Sequence, residues 1–190
     1  MERASALMRS AALAGLLLSA ILCSGCLVVS LHPLYEEGAL EFDEALVGEW
    51  EGVEERAAVR VERGEWRSYK VTYTAGDRSV VLLGFLTRIG NSRVLDLTPC
   101  RLADADALLL PSHAALRVQV LGDSLTVAPL DYDWFVDGME RDRLATLRPA
   151  LDARRNVVLT AGTAALRRWL MGSPIDNRFG DSIRLTRRPS

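Results

Sequence analysis

From Gly48 onward the chain alternates apolar and polar residues with a period close to two, in short runs separated by turn residues. Ala57, Val59 and Val61 alternate with Ala58, Arg60 and Glu62; past Gly64, Tyr69, Val71 and Tyr73 alternate with Lys70, Thr72 and Thr74. Successive side chains of a strand point to opposite faces, so such runs form strands with one face in a core and one in water. Between them lie Ala75-Gly76-Asp77, Gly90-Asn91 and Gly122-Asp123, where glycine supplies the positive φ that tight hairpins require. Repeated short strands joined this way predict an antiparallel meander that closes into a barrel or a sandwich.

One run breaks the alternation. Val80 to Leu86 is apolar on both faces, which predicts a strand covered on both sides. Val94 to Thr98, Leu116 to Val120 and Leu125 to Leu130 add further strands. The C-terminal third is mixed. Asp131 to Met139 carries Trp134, Phe135 and Met139 and reads as a short helix or turn that packs its aromatics on the sheet. Arg143 to Leu147 and Asn156 to Leu159 read as strands. A helix through Met171, capped by Thr160 or Thr163, would place Ala165, Leu166, Trp169 and Leu170 on one face with Arg167 and Arg168 away from it. Gly172, Ser173 and Pro174 end it, and Ser182 to Arg187 offers a last strand.

The N-terminus has a different character. Arg3 and Arg9 precede an apolar stretch from Ala11 to Leu22, and two small residues, Ser24 and Gly25, stand directly before Cys26. A short apolar segment with a basic leader and a small-residue cleavage site is a secretory signal. Ser24, Gly25 and Cys26 resemble the last three places of the bacterial lipobox, with Cys23 where that pattern has leucine. The resemblance implies cleavage between Gly25 and Cys26, and diacylglycerol and N-acyl lipid on Cys26. Leu27 lacks the aspartate associated with inner-membrane retention, so the expected address is the cell envelope, on the periplasmic side of an outer membrane. The rival is a transmembrane helix over Ala11 to Val29, close to the ~20 apolar residues a bilayer needs; Ser19, Ser24 and Gly25 weaken it.

Removal of residues 1–25 would leave a tether and lead-in over 26–42, with enough apolar residues to pack along the domain, and a barrel over 43–190, a length suited to one domain. The remaining 21 basic and 24 acidic side chains give a net charge of −3 with no basic tract, which argues against nucleic acid. Lys70 is the single lysine, and the arginines are scattered or paired as on a solvated surface. With Cys23 gone and Cys26 acylated, Cys100 has no partner for an internal disulfide.

Gly48-Glu49-Trp50, at the head of the first strand, resembles the Gly-x-Trp motif of lipocalins. The resemblance implies a barrel whose closed end is plugged by Trp50, with a late arginine, Arg184 or Arg187, laid across the ring. Ser30, Leu31, Pro33, Leu34 and Tyr35, followed by Gly-x-Trp, also resemble the lead-in of bacterial lipoproteins with a lipocalin-like domain. The fold expected is therefore mainly β: an antiparallel meander closed into a lipocalin-like barrel, with a late helix packed on it before the final strand.

Catalytic signals are weak. His32 and His113 are the only histidines, and no Cys or His pair has metal-ligand spacing. Ser112 and His113 are adjacent, so on a strand they face opposite ways; Asp131, Asp133 and Asp137 lack a calcium-loop pattern. The expected task is binding an apolar or amphipathic small molecule, with Trp66, Tyr69 and Tyr73 as candidate lining residues and no cofactor beyond the anchor lipid. The alternative is a structural or assembly lipoprotein that binds an envelope protein and leaves the barrel without ligand.

Overall fold

A computed structural model describes residues 26–52, 57–100, 112–172 and 175–189. Residues 1–25, read from the sequence as a signal segment and including Cys23 and Gly25, lie outside the described residues. The elements in order are β1 (Val28–Ser30), β2 (Leu40–Glu41), β3 (Gly48–Gly52), β4 (Ala57–Arg63), β5 (Ser68–Ala75), β6 (Arg78–Ile89), β7 (Ser92–Pro99), β8 (Ala114–Leu121) and β9 (Ser124–Pro129). Then come α1 (Tyr132–Glu140), β10 (Pro149–Leu151), β11 (Val157–Leu159), α2 (Thr163–Met171) and β12 (Ile183–Arg187).

Strands β3 to β9 pair each with the next in antiparallel register, β12 joins β9 to β3, and β6 pairs with β7 to complete the ring. The result is a closed eight-stranded antiparallel barrel, the meander that the alternating runs predict. Closure leaves no free edge among these strands, which removes the main hazard of a sheet protein. The turns follow their residues: Gly76, Gly90 and Gly122 all sit near φ +57°.

Two cores divide the work. The first fills the barrel: Trp50, Val61, Tyr69, Val71, Leu86, Leu95, Val118, Leu125 and Leu185 alternate inward along their strands, with Leu46 beneath them. The second lies outside the wall formed by β6 to β9. There Ile89, Val94, Ala115 and Ala128 meet Phe135 of α1, Leu166 and Leu170 of α2, and Val28 and Val157 of a small sheet ordered β1-β11-β10. Both helices are thus packed on the barrel before its final strand. Burying each large apolar side chain stabilises by about 1.5–3 kcal/mol, so the outer core binds the C-terminal third firmly.

The doubly apolar run is explained by this arrangement. Inward Leu82 and Leu86 of β6 face the barrel core, while on its outer face Phe85 stacks on Tyr35 at 4.6 Å and Thr87 pairs with Leu40 of β2. The lead-in is therefore part of the fold. Leu34 is fastened on both backbone groups: its N–H donates to Asp96 Oδ2 at 2.6 Å and its carbonyl accepts from the Arg167 guanidinium at 2.7 Å.

Three local expectations differ from the structure. Arg143 to Leu147 is a turn and a 3-10 helix (Ala145–Leu147), because Leu144 and Leu147 are both buried and three residues apart, a spacing that a helical turn satisfies and a strand does not. Gly162, not a threonine, caps α2, without a side-chain bond; the Thr160 hydroxyl donates to the Arg148 carbonyl instead. Arg167 does not point to water: its side chain is largely buried and also reaches Thr87 and the Arg88 carbonyl.

Candidate functional site

The barrel has two unlike ends. At one end lie Gly48, the turn between β4 and β5, the turns at Gly90 and Gly122, and Arg187. A 3-10 turn over Glu44–Leu46 delivers Leu46 beneath the strands, capped by the Asp43 carboxylate, which accepts from the Ala45 N–H. The Trp50 ring is fully buried there and its Nε1–H donates to the Leu46 carbonyl at 2.9 Å. Arg187 lies over that ring with Cζ 4.1 Å from the centroid, and its guanidinium donates to the Val47 and Ala45 carbonyls, each at 2.7 Å. Gly48 completes the plug. Its φ of +147° disfavours any side chain, and a Cβ there would collide with the Arg187 guanidinium.

Tyr69 extends this floor. It is buried, stacks on Phe42 at 4.7 Å, and its hydroxyl both accepts from the Asp43 N–H and donates to the Asp43 carbonyl. Burial pushes its phenol above the ordinary tyrosine range. Asp43 moves the other way: the Ala45 N–H holds its carboxyl below the usual carboxylate range, and Arg93, 2.6 Å away, adds to the effect.

At the opposite end the inward side chains are no longer fully covered. Val59, Leu82, Leu97, Leu116, Val127 and Ile183 face the barrel interior and are half-buried, and Tyr73 joins them at the same inward parity of β5. They come from seven different strands and form an apolar ring above the packed floor. The ring is apolar apart from the Tyr73 phenol, whose oxygen is itself buried.

The sequence-derived candidates fall as follows. Arg187, not Arg184, covers Trp50; Arg184 is exposed on the outer face of β12. Of the three candidate lining residues only Tyr73 belongs to the open half. Trp66 sits in the turn before β5, 66% exposed at φ +56°, and Tyr69 is sealed in the floor. Strand parity could have found the other six, but assigning them to one end needs the pairing register. Cys26 is exposed and lies two residues before β1, and Cys100 is a half-buried free thiol.

Two other polar features lie outside the barrel. His113 and Asp96 are buried with Nδ1 and Oδ1 2.8 Å apart, and the second Asp96 oxygen is occupied by Leu34. The pair is closed to substrate and serves to fasten the lead-in. A surface groove of about 500 Å³ runs along Arg88, Asn91, Arg93, Arg117, Gln119 and Thr126; Arg88 and Arg93 in it are already paired with Glu41 and Asp43. Among the described residues no group of His, Cys, Asp and Glu is arranged to hold a metal, and no helix is long and apolar enough to cross a membrane.

Fold and site together define a class: an up-and-down eight-stranded barrel plugged at one end by a tryptophan under an arginine and lined with apolar side chains at the other. Comparison with protein-family models, with curated proteins and with solved structures finds no match.

Proposed function

We propose that this chain is a lipid-anchored lipoprotein of the cell envelope whose lipocalin-like barrel binds an apolar or amphipathic small molecule through its open half. The observation that carries the reading is the half-buried ring of Val59, Tyr73, Leu82, Leu97, Leu116, Val127 and Ile183 above a sealed floor. Eight strands give about the smallest barrel that can hold one ligand while still filling part of itself. Ligand surface would replace water on these side chains at about 25 cal/mol per Å² of apolar area. The anchor is supplied by Cys26, exposed and directly before the folded body, behind a Ser24-Gly25 cleavage site.

Native mass spectrometry of the protein extracted from membranes tests the reading. Co-purification of a small amphiphile in stoichiometric amount supports it. A clean apo mass together with a specific crosslink to an envelope protein would replace it by the assembly role.

A further inference from the structure

We propose that the face of the fold around Cys26, formed by the loop 152–156 and the outer edge of β10, sits directly on the bilayer and contacts anionic phospholipid headgroups. The inference rests on the lipid-anchor reading of Cys26 and adds to it an orientation.

Its basis is the absence of slack between anchor and body. The Leu27 N–H donates to Asn156 Oδ1 at 3.1 Å and its carbonyl accepts from the Val157 N–H at 2.8 Å. Val28–Ser30 then lies in parallel register on Val157–Leu159. Ser30 exchanges two 2.9 Å backbone bonds with His113, and Leu34 is held on both backbone groups. The residue next to Cys26 is thus already fastened to the body, about 3.8 Å of Cα spacing away. A diacylglycerol on that sulfur brings the loop 152–156 to the headgroups.

The face suits that position. Leu151 is 43% exposed on the edge strand of the small sheet, and Arg154 and Arg155 are both exposed in the adjoining loop. The acidic group among them, Asp152, is exposed too, with its carboxylate accepting from the Arg154 N–H, the Asn156 N–H and the Asn156 side chain, each at 2.8 Å. Two cations beside an exposed leucine at the anchor point form an interfacial contact that an anionic surface attracts. The seating also has a consequence for the barrel. Ser30 pairs with His113, which leads into β8 at the open end, so Cys26 lies within about 14 Å of chain from that rim. This seating keeps the open rim close to the bilayer, and the ligand class it favours is an amphiphile drawn from it.

Site-directed labelling of the full chain in its own membranes tests the seating. In a Cys100→Ala background, Ala153→Cys and Asn91→Cys are each reacted with a membrane-impermeant polar maleimide, with the labelled side made accessible, before and after detergent. Position 153 should react several-fold more slowly in membranes than in detergent, and position 91, at the closed end, equally in both. Equal rates at position 153 with the protein still membrane-held would overturn the seating alone. Membrane association that survives Cys26→Ser without cleavage would remove the anchor reading, and this inference with it.

Discussion

The Arg187 guanidinium lies 4.1 Å above the Trp50 ring and, in the same position, closes the carbonyls of Ala45 and Val47. One side chain from the last strand thereby fastens the first strand and the turn that precedes it. Replacing Arg187 by alanine forfeits two charge-assisted hydrogen bonds and a cation–π contact, and should cost about 2–4 kcal/mol. Arg187→Lys keeps the charge but not the planar fork, and should recover less than half of that loss in urea denaturation.

Gly48 and Arg187 should behave as a coupled pair. Gly48→Ala forces a side chain into an unfavourable φ and against the guanidinium, at about 1–3 kcal/mol for the backbone alone. In a double-mutant cycle the second substitution should cost less than it does alone, because removing Arg187 removes the clash. Additive costs would mean that the φ strain alone fixes this glycine.

Asp96→Ala should loosen the lead-in. The buried Leu34 N–H and His113 each lose their partner, a cost of about 2–4 kcal/mol. Hydrogen exchange should show the Leu34 amide losing protection first, with the strands facing the Trp50 core affected less. Uniform loss of protection across the barrel would contradict that role.

Two groups on the floor predict opposite pH limbs. The Asp43 carboxyl is held below its ordinary value by the Ala45 N–H and by Arg93. Its stabilisation is present above the unfolded pKa of about 4 and is lost as pH falls through the lower folded value. Asp43→Asn should therefore flatten the acid limb of Tm against pH below about 4. Burial raises the Tyr69 phenol; its stabilisation is complete below about pH 10 and disappears as pH rises through the folded value. Tyr69→Phe should remove that part of the alkaline limb.

The barrel was legible because its information is local. Alternation and glycine turns lie within a dozen residues of one another, and Gly48 and Trp50 are adjacent in sequence to the plug they form. Asn156 to Leu159 is legible as a strand, but its pairing is not, because Val28–Ser30 is only three residues long and meets Val157–Leu159 across more than a hundred positions. For the same reason Arg167 read as a solvent residue: its partners, Leu34 and Thr87, come from distant strands. The candidate site was half legible. Parity alone places Tyr69 and Tyr73 on one face, but only register shows that Tyr69 seals the floor while Tyr73 faces the open half.

The central claim is that ligand enters the open half, above the Trp50 floor. Fluorescence titration with a single-tailed amphiphilic probe, comparing Val127→Trp and Leu116→Trp with Trp66→Ala, tests it most directly. Filling the ring should weaken binding at least about tenfold, roughly 1.4 kcal/mol, with folding retained, while removal of the exposed Trp66 ring at the closed end should leave affinity unchanged. Unchanged binding in both ring variants, or loss on Trp66→Ala alone, would contradict the account.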